Sequence, residues 1–191
     1  MKSTLIAVCI FFSVLHARAQ QATGLYLTHN DFAANTVSYQ VKAAGDKIKW
    51  DYLFNAGKIK VVINGQEQVL DKQNVYGFAD DKGRHYRFIN NVAYHVLDTT
   101  GFYLYEHLER PAGKGYHAPV AKHYFSTGPG SNVQALTIHN LKKSFAGNAE
   151  FRYWLDAAFK SDKDLLTFDH FSNMYKLKYV YLRSGENIAS R

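Results

Sequence analysis

The stretch from Val75 to Glu109 constrains the fold of this chain more than any other. It contains four runs in which aromatic or apolar residues alternate with small or polar ones, which is the period of a β-strand. Segments of turn chemistry separate the runs: DDKG at 80–83, NN at 90–91 and DTTG at 98–101. Because connections this short join antiparallel neighbours, the stretch predicts a four-stranded meander.

Alternation within the meander assigns its side chains to two opposite faces. In the last run, Phe102 and Leu104 face one way with Leu108, and the residues between them face the other way. Tyrosine and arginine side chains on a sheet face suit the binding of sugars, peptides or proteins. We therefore predict a ligand-binding site at Arg87, Tyr103 and Tyr105, with His85 and His107 beside them. In the alternative interpretation, other segments cover this face and the tyrosine hydroxyls reach solvent at its edge.

The predicted site has an expected geometry. The strand at 92–98 lies between the strands at 84–90 and 101–109, so side chains on the two outer strands should be about 10 Å apart. We expect Tyr105 to lie at the surface, where the substitution Tyr105→Ala would change stability by less than about 1 kcal/mol.

Other segments predict a further hairpin, further strands and several helices. Asn64-Gly65 between two strand-like runs indicates a hairpin. Thr28 with Asp31 resembles the start of a short helix, and Thr137 and Asn148 can cap two longer ones. In the second of these the apolar stripe is formed by Phe151, Trp154, Leu155, Ala158 and Phe159. The segment 163–182 allows helix or strand, and the alternation of YKLKYVYL at 175–182 favours a final strand.

These elements predict an α+β fold in one domain. We expect an antiparallel β-meander sheet, or a partly closed barrel, of seven or more strands, with C-terminal helices from 137 to 160 packed on it. The domain spans residues 20–184, and residues 185–191 form a polar C-terminal tail.

Residues 1–19 have the pattern of a signal peptide. Lys2 precedes an apolar run from Leu5 to Leu15, and Ala17-Arg18-Ala19 matches a small-x-small cleavage site. The pattern predicts export to the periplasm, outer surface or medium, with no transmembrane segment after cleavage. A retained membrane anchor and a lipoprotein modified at Cys9 are the alternatives.

Little in the composition points to a particular chemistry. Cleavage after Ala19 removes the only cysteine. It also removes Lys2 and Arg18, so the formal charge falls from +7 to +5. A charge this small does not predict a nucleic-acid partner. We predict no cofactor and no metal. A metal held by His85, His107 and His123 on one sheet face is the alternative, since each lies in a predicted strand.

Seven segments spread over most of the mature chain have a familiar spacing: GLYLT at 24–28, VYGF at 75–78, YRF at 86–88, LDTTGFYLYE at 97–106, HYFS at 123–126, FRYWLD at 151–156 and YKLKYVYL at 175–182. Together they resemble a group of exported bacterial proteins of uncharacterised function. The resemblance implies export and a single α+β domain, and it assigns no role to any residue.

The sequence favours a non-catalytic envelope protein that binds a ligand or partner through an aromatic sheet face. Tyrosine is abundant, with fourteen residues, and motifs for a serine nucleophile or zinc are missing. Expected partners are a glycan, a peptide or an envelope protein. The alternative is a glycan-directed hydrolase whose carboxylates are unidentified. Asp98 and Glu106 are candidates, but a turn role explains Asp98 better.

Overall fold

The computed structural model describes residues 23–49, 57–111, 113 and 117–189. The predicted signal peptide lies outside these residues. The strands are β1 (Gly24–Tyr26), β2 (Tyr39–Gln40), β3 (Lys47–Lys49), β4 (Lys58–Ile63), β5 (Gln66–Asp71), β6 (Gly77–Ala79), β7 (His85–Ile89), β8 (Val92–Asp98), β9 (Tyr103–Glu109), β10 (Val120–Ser126), β11 (Gln134–Ala135), β12 (Phe168–Asp169) and β13 (Met174–Tyr175). The α-helices are α1 (His29–Ala33), α2 (Ile138–Ser144), α3 (Ala149–Ala158) and α4 (Lys176–Ala189), and single 3-10 turns occupy Lys72–Asn74 and Asp162–Leu166.

Eight strands form one antiparallel sheet in the order β11-β10-β9-β8-β7-β6-β1-β2. The predicted meander is its centre, β6 to β9, and the α+β prediction is confirmed. The edge strands β11 and β2 each pair with one neighbour, so the sheet is open and the alternative of a partly closed barrel is wrong.

Asparagine-containing two-residue turns set the register of two hairpins. Asn90 and Asn91 have φ of 49° and 64°, and Asn64 and Gly65 have φ of 52° and 75°. Two successive residues of positive φ match the right-handed twist of the flanking strands, and asparagine and glycine tolerate this conformation better than other residues. Both turns occur where the sequence predicts them.

The register divides the side chains of the large sheet between two faces, because residues paired across strands share a face. The core face carries Leu25, Phe78, Tyr86, Phe88, Leu104 and Phe125. The opposite face, which we call the tyrosine face, carries Tyr26, His85, Arg87, Tyr94, Tyr103, Tyr105, His107 and Tyr124. All five residues of the predicted ligand-binding site therefore lie on the tyrosine face.

Two layers cover the core face with apolar side chains. At one end the separate sheet β3-β4-β5 packs Ile59 and Val61 against Leu25 and Phe78. At the other end the C-terminal helices pack on the last strands through one cluster of buried residues: Phe102, Leu104, Phe125, Leu141, Phe151, Leu155, Leu177 and Val180. Each such side chain contributes about 1.5–3 kcal/mol by leaving water.

The two helices predicted after residue 137 are confirmed, with their caps. Thr137 Oγ1 accepts a hydrogen bond from Asn140 N at 3.1 Å, and Asn148 Oδ1 accepts one from Phe151 N at 2.9 Å. The apolar stripe is narrower than predicted, because Trp154 is 42% exposed. No helix in the described part of the chain is both long and apolar enough to cross a membrane.

The prediction of a strand at 175–182 holds only for Tyr175, which ends β13, because Lys176 begins α4 and the helix continues into residues predicted as a polar tail. Alternation suggested a strand, but burial follows a helical spacing, with Leu177, Val180 and Ser184 inside. Lys178 is also fully buried, and its Nζ donates to the carbonyl oxygens of Thr100 at 3.0 Å and of Phe102. Contacts with the rest of the fold overrode the local preference of the tyrosines for strands.

Candidate functional site

Arg87 and Tyr105 form a hydrogen-bonded pair on the tyrosine face. Arg87 Nη1 donates to Tyr105 Oη at 3.2 Å and lies 3.5 Å from Ser126 Oγ. The Tyr105 and Ser126 hydroxyls are 2.9 Å apart, and Ser126 Oγ donates to the Gly128 carbonyl oxygen at 2.8 Å. Because Ser126 gives its proton to Gly128, the hydrogen bonds run in one direction. They lead from the Arg87 guanidinium to the Tyr105 hydroxyl, then to the Ser126 hydroxyl and the Gly128 carbonyl oxygen.

This arrangement corrects two expectations about Tyr105. Its side chain has no exposed surface, so it is not the surface residue that the sequence predicts. The separation of about 10 Å expected between side chains of the two outer strands is also wrong for Arg87 and Tyr105. The arginine is long enough to reach across Val96, the residue of the middle strand that pairs with Tyr105.

The segment after β10 covers this pair. Tyr76 Oη donates to the Pro129 carbonyl oxygen at 2.6 Å, and the Arg87 guanidinium carbon lies 5.1 Å from the Tyr76 ring centre. Burial raises the pKa of the Tyr76 hydroxyl well above its ordinary value, with neighbouring Tyr105 adding to the effect and Arg87 opposing it. The Arg87 charge is therefore enclosed by two tyrosine rings and a loop, and no carboxylate of the described residues pairs with it.

Helix α1 covers another part of the tyrosine face, and its two ends are fixed by local sequence. Thr28 and Asp31 form the predicted capping box, with bonds of 2.9 and 3.1 Å. At the other end Asn35 has φ of 50°, Asn35 N donates to Phe32 O, and Thr36 N donates to Asp31 O. This is the Schellman arrangement, in which a residue of left-handed conformation ends the helix.

The cap directs the Asn35 side chain into contact with the sheet. Tyr26 Oη donates to Asn35 Oδ1 at 2.7 Å and lies 3.2 Å from His85 Nδ1. Because the tyrosine has one proton and gives it to Asn35, His85 Nδ1 is the donor in the second contact. Burial lowers the pKa of His85, an effect that the Asp80 carboxylate opposes, so the imidazole is neutral at pH 7.

A cleft opens where α1 meets the sheet, and we call it the α1 cleft. It has a volume of about 320 Å³ and is lined by Phe32, Ala33, Asn35, His85, Val96, Leu97, Asp98, Thr99 and Tyr103. Phe32 anchors the helix, with its ring 5.2 Å from Tyr26 and 6.0 Å from Tyr103. The cleft therefore brings together two residues of the predicted site, His85 and Tyr103.

His107 lies apart from the α1 cleft. Its ring is 5.0 Å from that of Tyr94, and His107 Nδ1 is 3.3 Å from the Ala93 carbonyl oxygen. Tyr94 in turn contacts Tyr124, whose hydroxyl donates to Glu109 Oε1 at 2.6 Å. The five predicted residues thus fall into three groups: His85 with Tyr103, Arg87 with Tyr105, and His107 in this third cluster.

The alternative of a metal held by three histidines is contradicted by the register. His85 and His107 lie on the tyrosine face, whereas His123 pairs with Glu106 on the core face, where His123 Nε2 is 3.4 Å from Glu106 Oε2. In the described ranges no three histidine, cysteine, aspartate or glutamate side chains are placed to hold a metal ion.

Sequence reasoning missed Tyr26, Tyr76, Asn35 and Ser126 as members of this face. The signal for Asn35 was present, since asparagine a few residues after a capping box can end a short helix in the left-handed conformation. No local signal marks Tyr26, Tyr76 or Ser126, because their roles depend on strands that are distant in the sequence. Comparison of the chain with protein families, curated proteins and solved structures gave no match.

Proposed function

We propose that this chain is an exported, non-catalytic envelope protein that binds a small ligand in the α1 cleft. The observation that supports this proposal is the meeting of Asn35, His85 and Tyr103 around a cavity of about 320 Å³. Small-molecule sites are concave, have volumes of about 300–1,000 Å³, and combine apolar walls with a few placed polar groups. The α1 cleft has the size and the lining of the smaller members of this class. The export of the protein rests on the pattern of residues 1–19.

The alternative of a glycan-directed hydrolase has less support. Hydrolysis of this kind uses two carboxyl groups on either side of the scissile bond. Glu106 lies on the core face beside His123, on the other side of the sheet from the α1 cleft. Asp98 Oδ1 accepts a hydrogen bond from Thr100 N at 2.7 Å, which is the turn role expected from the sequence. Burial raises the pKa of Tyr175 and both carboxylates add to the effect, so they lie near the same side chain, but each is already engaged: Asp98 in the turn and Glu106 with His123.

A thermal-shift screen of the mature protein tests the proposal. The library should contain neutral sugars, sugar acids, amino acids and short peptides, because a ligand of any class that binds only the folded state raises the melting temperature, and more so the further its concentration exceeds its Kd. The variant Tyr103→Ala removes one wall of the cleft and should abolish the shift. Tyr153→Ala is the control, since Tyr153 is 66% exposed on α3, outside the tyrosine face.

Two results would count against this function. One is a library in which no compound shifts the melting temperature at millimolar concentration. The other is a ligand whose effect is the same in Tyr103→Ala as in the unmodified protein, because such a ligand binds outside the α1 cleft.

A further inference from the structure

We propose that the ligand of the α1 cleft is an uncharged carbohydrate, bound through hydroxyl groups by Asn35, Thr99 and Tyr103. This inference rests on the proposed function, since it names the class of ligand for the same cleft. Its support comes from the charges that the cleft lacks, the hydrogen-bonding groups that it presents, and its size.

The described lining of the α1 cleft offers no positive charge to an anionic ligand. Its nine residues include no lysine or arginine, and the half-buried His85 imidazole is neutral at pH 7. The nearby Arg87 is not part of this lining, and its Nη1 faces Tyr105 and Ser126. A carboxylate or phosphate would therefore lose its hydration without gaining an ion pair, which is strongly unfavourable.

The cleft does not favour a cationic ligand either. Asp98 is the one carboxyl-bearing residue in the described lining, and its Oδ1 is already engaged within the chain. Asp98 Oδ1 accepts the Thr100 N–H at 2.7 Å and lies 3.8 Å from Lys178 Nζ. A single carboxylate that is already hydrogen-bonded to the backbone offers a cation little, and the site favours an uncharged polar ligand.

Three side chains of the lining, those of Asn35, Thr99 and Tyr103, have hydrogen-bonding atoms that no described residue is shown to engage. Tyr26 uses Asn35 Oδ1, which leaves the two N–H donors of the Asn35 amide. The hydroxyls of Thr99 and Tyr103 each provide one donor and acceptor lone pairs. Groups that both donate and accept are what adjacent sugar hydroxyls require, since each sugar hydroxyl also does both.

Aromatic rings beside these groups suit the apolar side of a sugar ring. The Tyr103 and Phe32 rings are 6.0 Å apart at the cleft, with an angle of 48° between their planes. Burial of apolar C–H groups against such rings adds affinity without adding charge. With a volume of about 320 Å³, the cleft suits a single sugar unit, free or at the end of a chain, better than the middle of a polymer.

The test is calorimetric titration of the mature protein with matched ligands. Methyl glycosides of glucose, galactose, mannose and N-acetylglucosamine are the neutral set, and the corresponding uronic acids and amino sugars are the charged set. We expect at least one neutral glycoside to bind, and its charged counterparts to bind at least about tenfold more weakly.

Two variants connect binding to the cleft. Thr99→Val replaces the hydroxyl by a methyl group of similar size and leaves the hydrogen bond from Tyr26 to Asn35 intact. Tyr103→Phe removes only a hydroxyl. Each should weaken the neutral glycoside about tenfold while the melting temperature without ligand stays within a few degrees of the unmodified protein.

The outcomes separate the ligand class from the proposed function. Suppose that a uronic acid or an amino sugar binds as tightly as its neutral counterpart, and that Tyr103→Phe weakens this binding. The cleft then does not select uncharged carbohydrates and this inference is wrong, while the proposal that the cleft binds a ligand stands. If only a non-carbohydrate from the wider library binds the cleft, the inference also fails alone. If neither variant changes the affinity of a bound glycoside, both proposals fail.

Discussion

The two faces of the large sheet are covered by different kinds of contact. On the core face, a second sheet and three helices bury aromatic and aliphatic side chains such as Phe102, Phe125 and Leu155 completely. On the tyrosine face, the five-residue helix α1 is anchored by Phe32, and hydroxyl, amide and guanidinium groups add hydrogen bonds that hold α1 and the segment after β10. A buried apolar side chain stabilises by about 1.5–3 kcal/mol, whereas a hydrogen bond contributes a net 0.5–1.5 kcal/mol.

The difference indicates where stability and binding are located. Apolar layers on the core face supply most of the free energy of folding. Polar contacts on the tyrosine face fix the positions of α1 and of the Arg87–Tyr105 pair without filling the surface, and the α1 cleft lies between them. We therefore expect core-face substitutions to act on stability and cleft substitutions to act on binding.

The largest effect should follow substitution on the core face. Phe102→Ala should lower the free energy of unfolding by about 3–5 kcal/mol, because it leaves a cavity among Phe125, Phe145 and Phe151. Urea denaturation measures this change. The exposed Tyr153→Ala is the control, and a cost below about 1 kcal/mol for Phe102→Ala would show that the helices are not the main cover of this face.

The next effect concerns Lys178, which joins α4 to the turn after β8. Burial lowers its pKa to about 7 from an ordinary value of 10.5, and Asp98 opposes the shift. Between pH 7 and pH 10.5 the Lys178 side chain is protonated in the unfolded chain but has released its proton in the folded chain. The stability that this group contributes therefore rises with pH from about 7 to 10.5, by up to roughly 1.4 kcal/mol per pH unit. Below pH 7 and above 10.5 its contribution is constant.

Urea denaturation between pH 7 and pH 9 measures this slope. In that range the tyrosine hydroxyls whose pKa is raised, including Tyr26 and Tyr76, are protonated in both states and do not contribute. Lys178→Met should remove the slope. The same slope in the variant and in the unmodified protein would show that Lys178 keeps its ordinary pKa.

A smaller effect should follow removal of one hydroxyl from the tyrosine face. Tyr105→Phe should cost about 1–2 kcal/mol, because it leaves Arg87 Nη1 and Ser126 Oγ without the group that joins them. Tyr94→Phe is the matched control on the same face, and it should cost less than about 0.5 kcal/mol. If both variants lower the free energy of unfolding equally, the hydrogen bonds that join Arg87, Tyr105 and Ser126 do not stabilise the segment that covers this face.

The smallest effect on stability should follow substitution in the α1 cleft. Tyr103→Phe should change the free energy of unfolding by less than about 0.5 kcal/mol, since no described group hydrogen-bonds the Tyr103 hydroxyl. Denaturation of this variant beside Tyr105→Phe measures the contrast directly. A cost for Tyr103→Phe as large as that for Tyr105→Phe would remove the distinction between supporting and ligand-facing tyrosines.

Local patterns predicted much of the fold and part of the candidate site. Alternation and turn chemistry were sufficient for the strands β6 to β9, and the capping residues Thr28, Thr137 and Asn148 marked three helices. Alternation also placed the five predicted site residues on one face. It could not show which of them line a cleft, because that depends on what packs above the sheet. Tyr105 is buried by a segment that follows it by some twenty residues, and no local signal announces this.

The sequence by itself determined the strands of the meander, their order, the two hairpin turns and the starts of three helices, because period, turn residues and caps act over a few positions. Tertiary structure decided three other matters: the helical conformation of 176–182, the burial of Lys178 and Tyr105, and the meeting of Asn35 with His85 and Tyr103. In each case the deciding contacts join residues far apart in the chain. Their free energy, from apolar burial and from hydrogen bonds in a partly dry interior, exceeds the weak preferences of the local sequence.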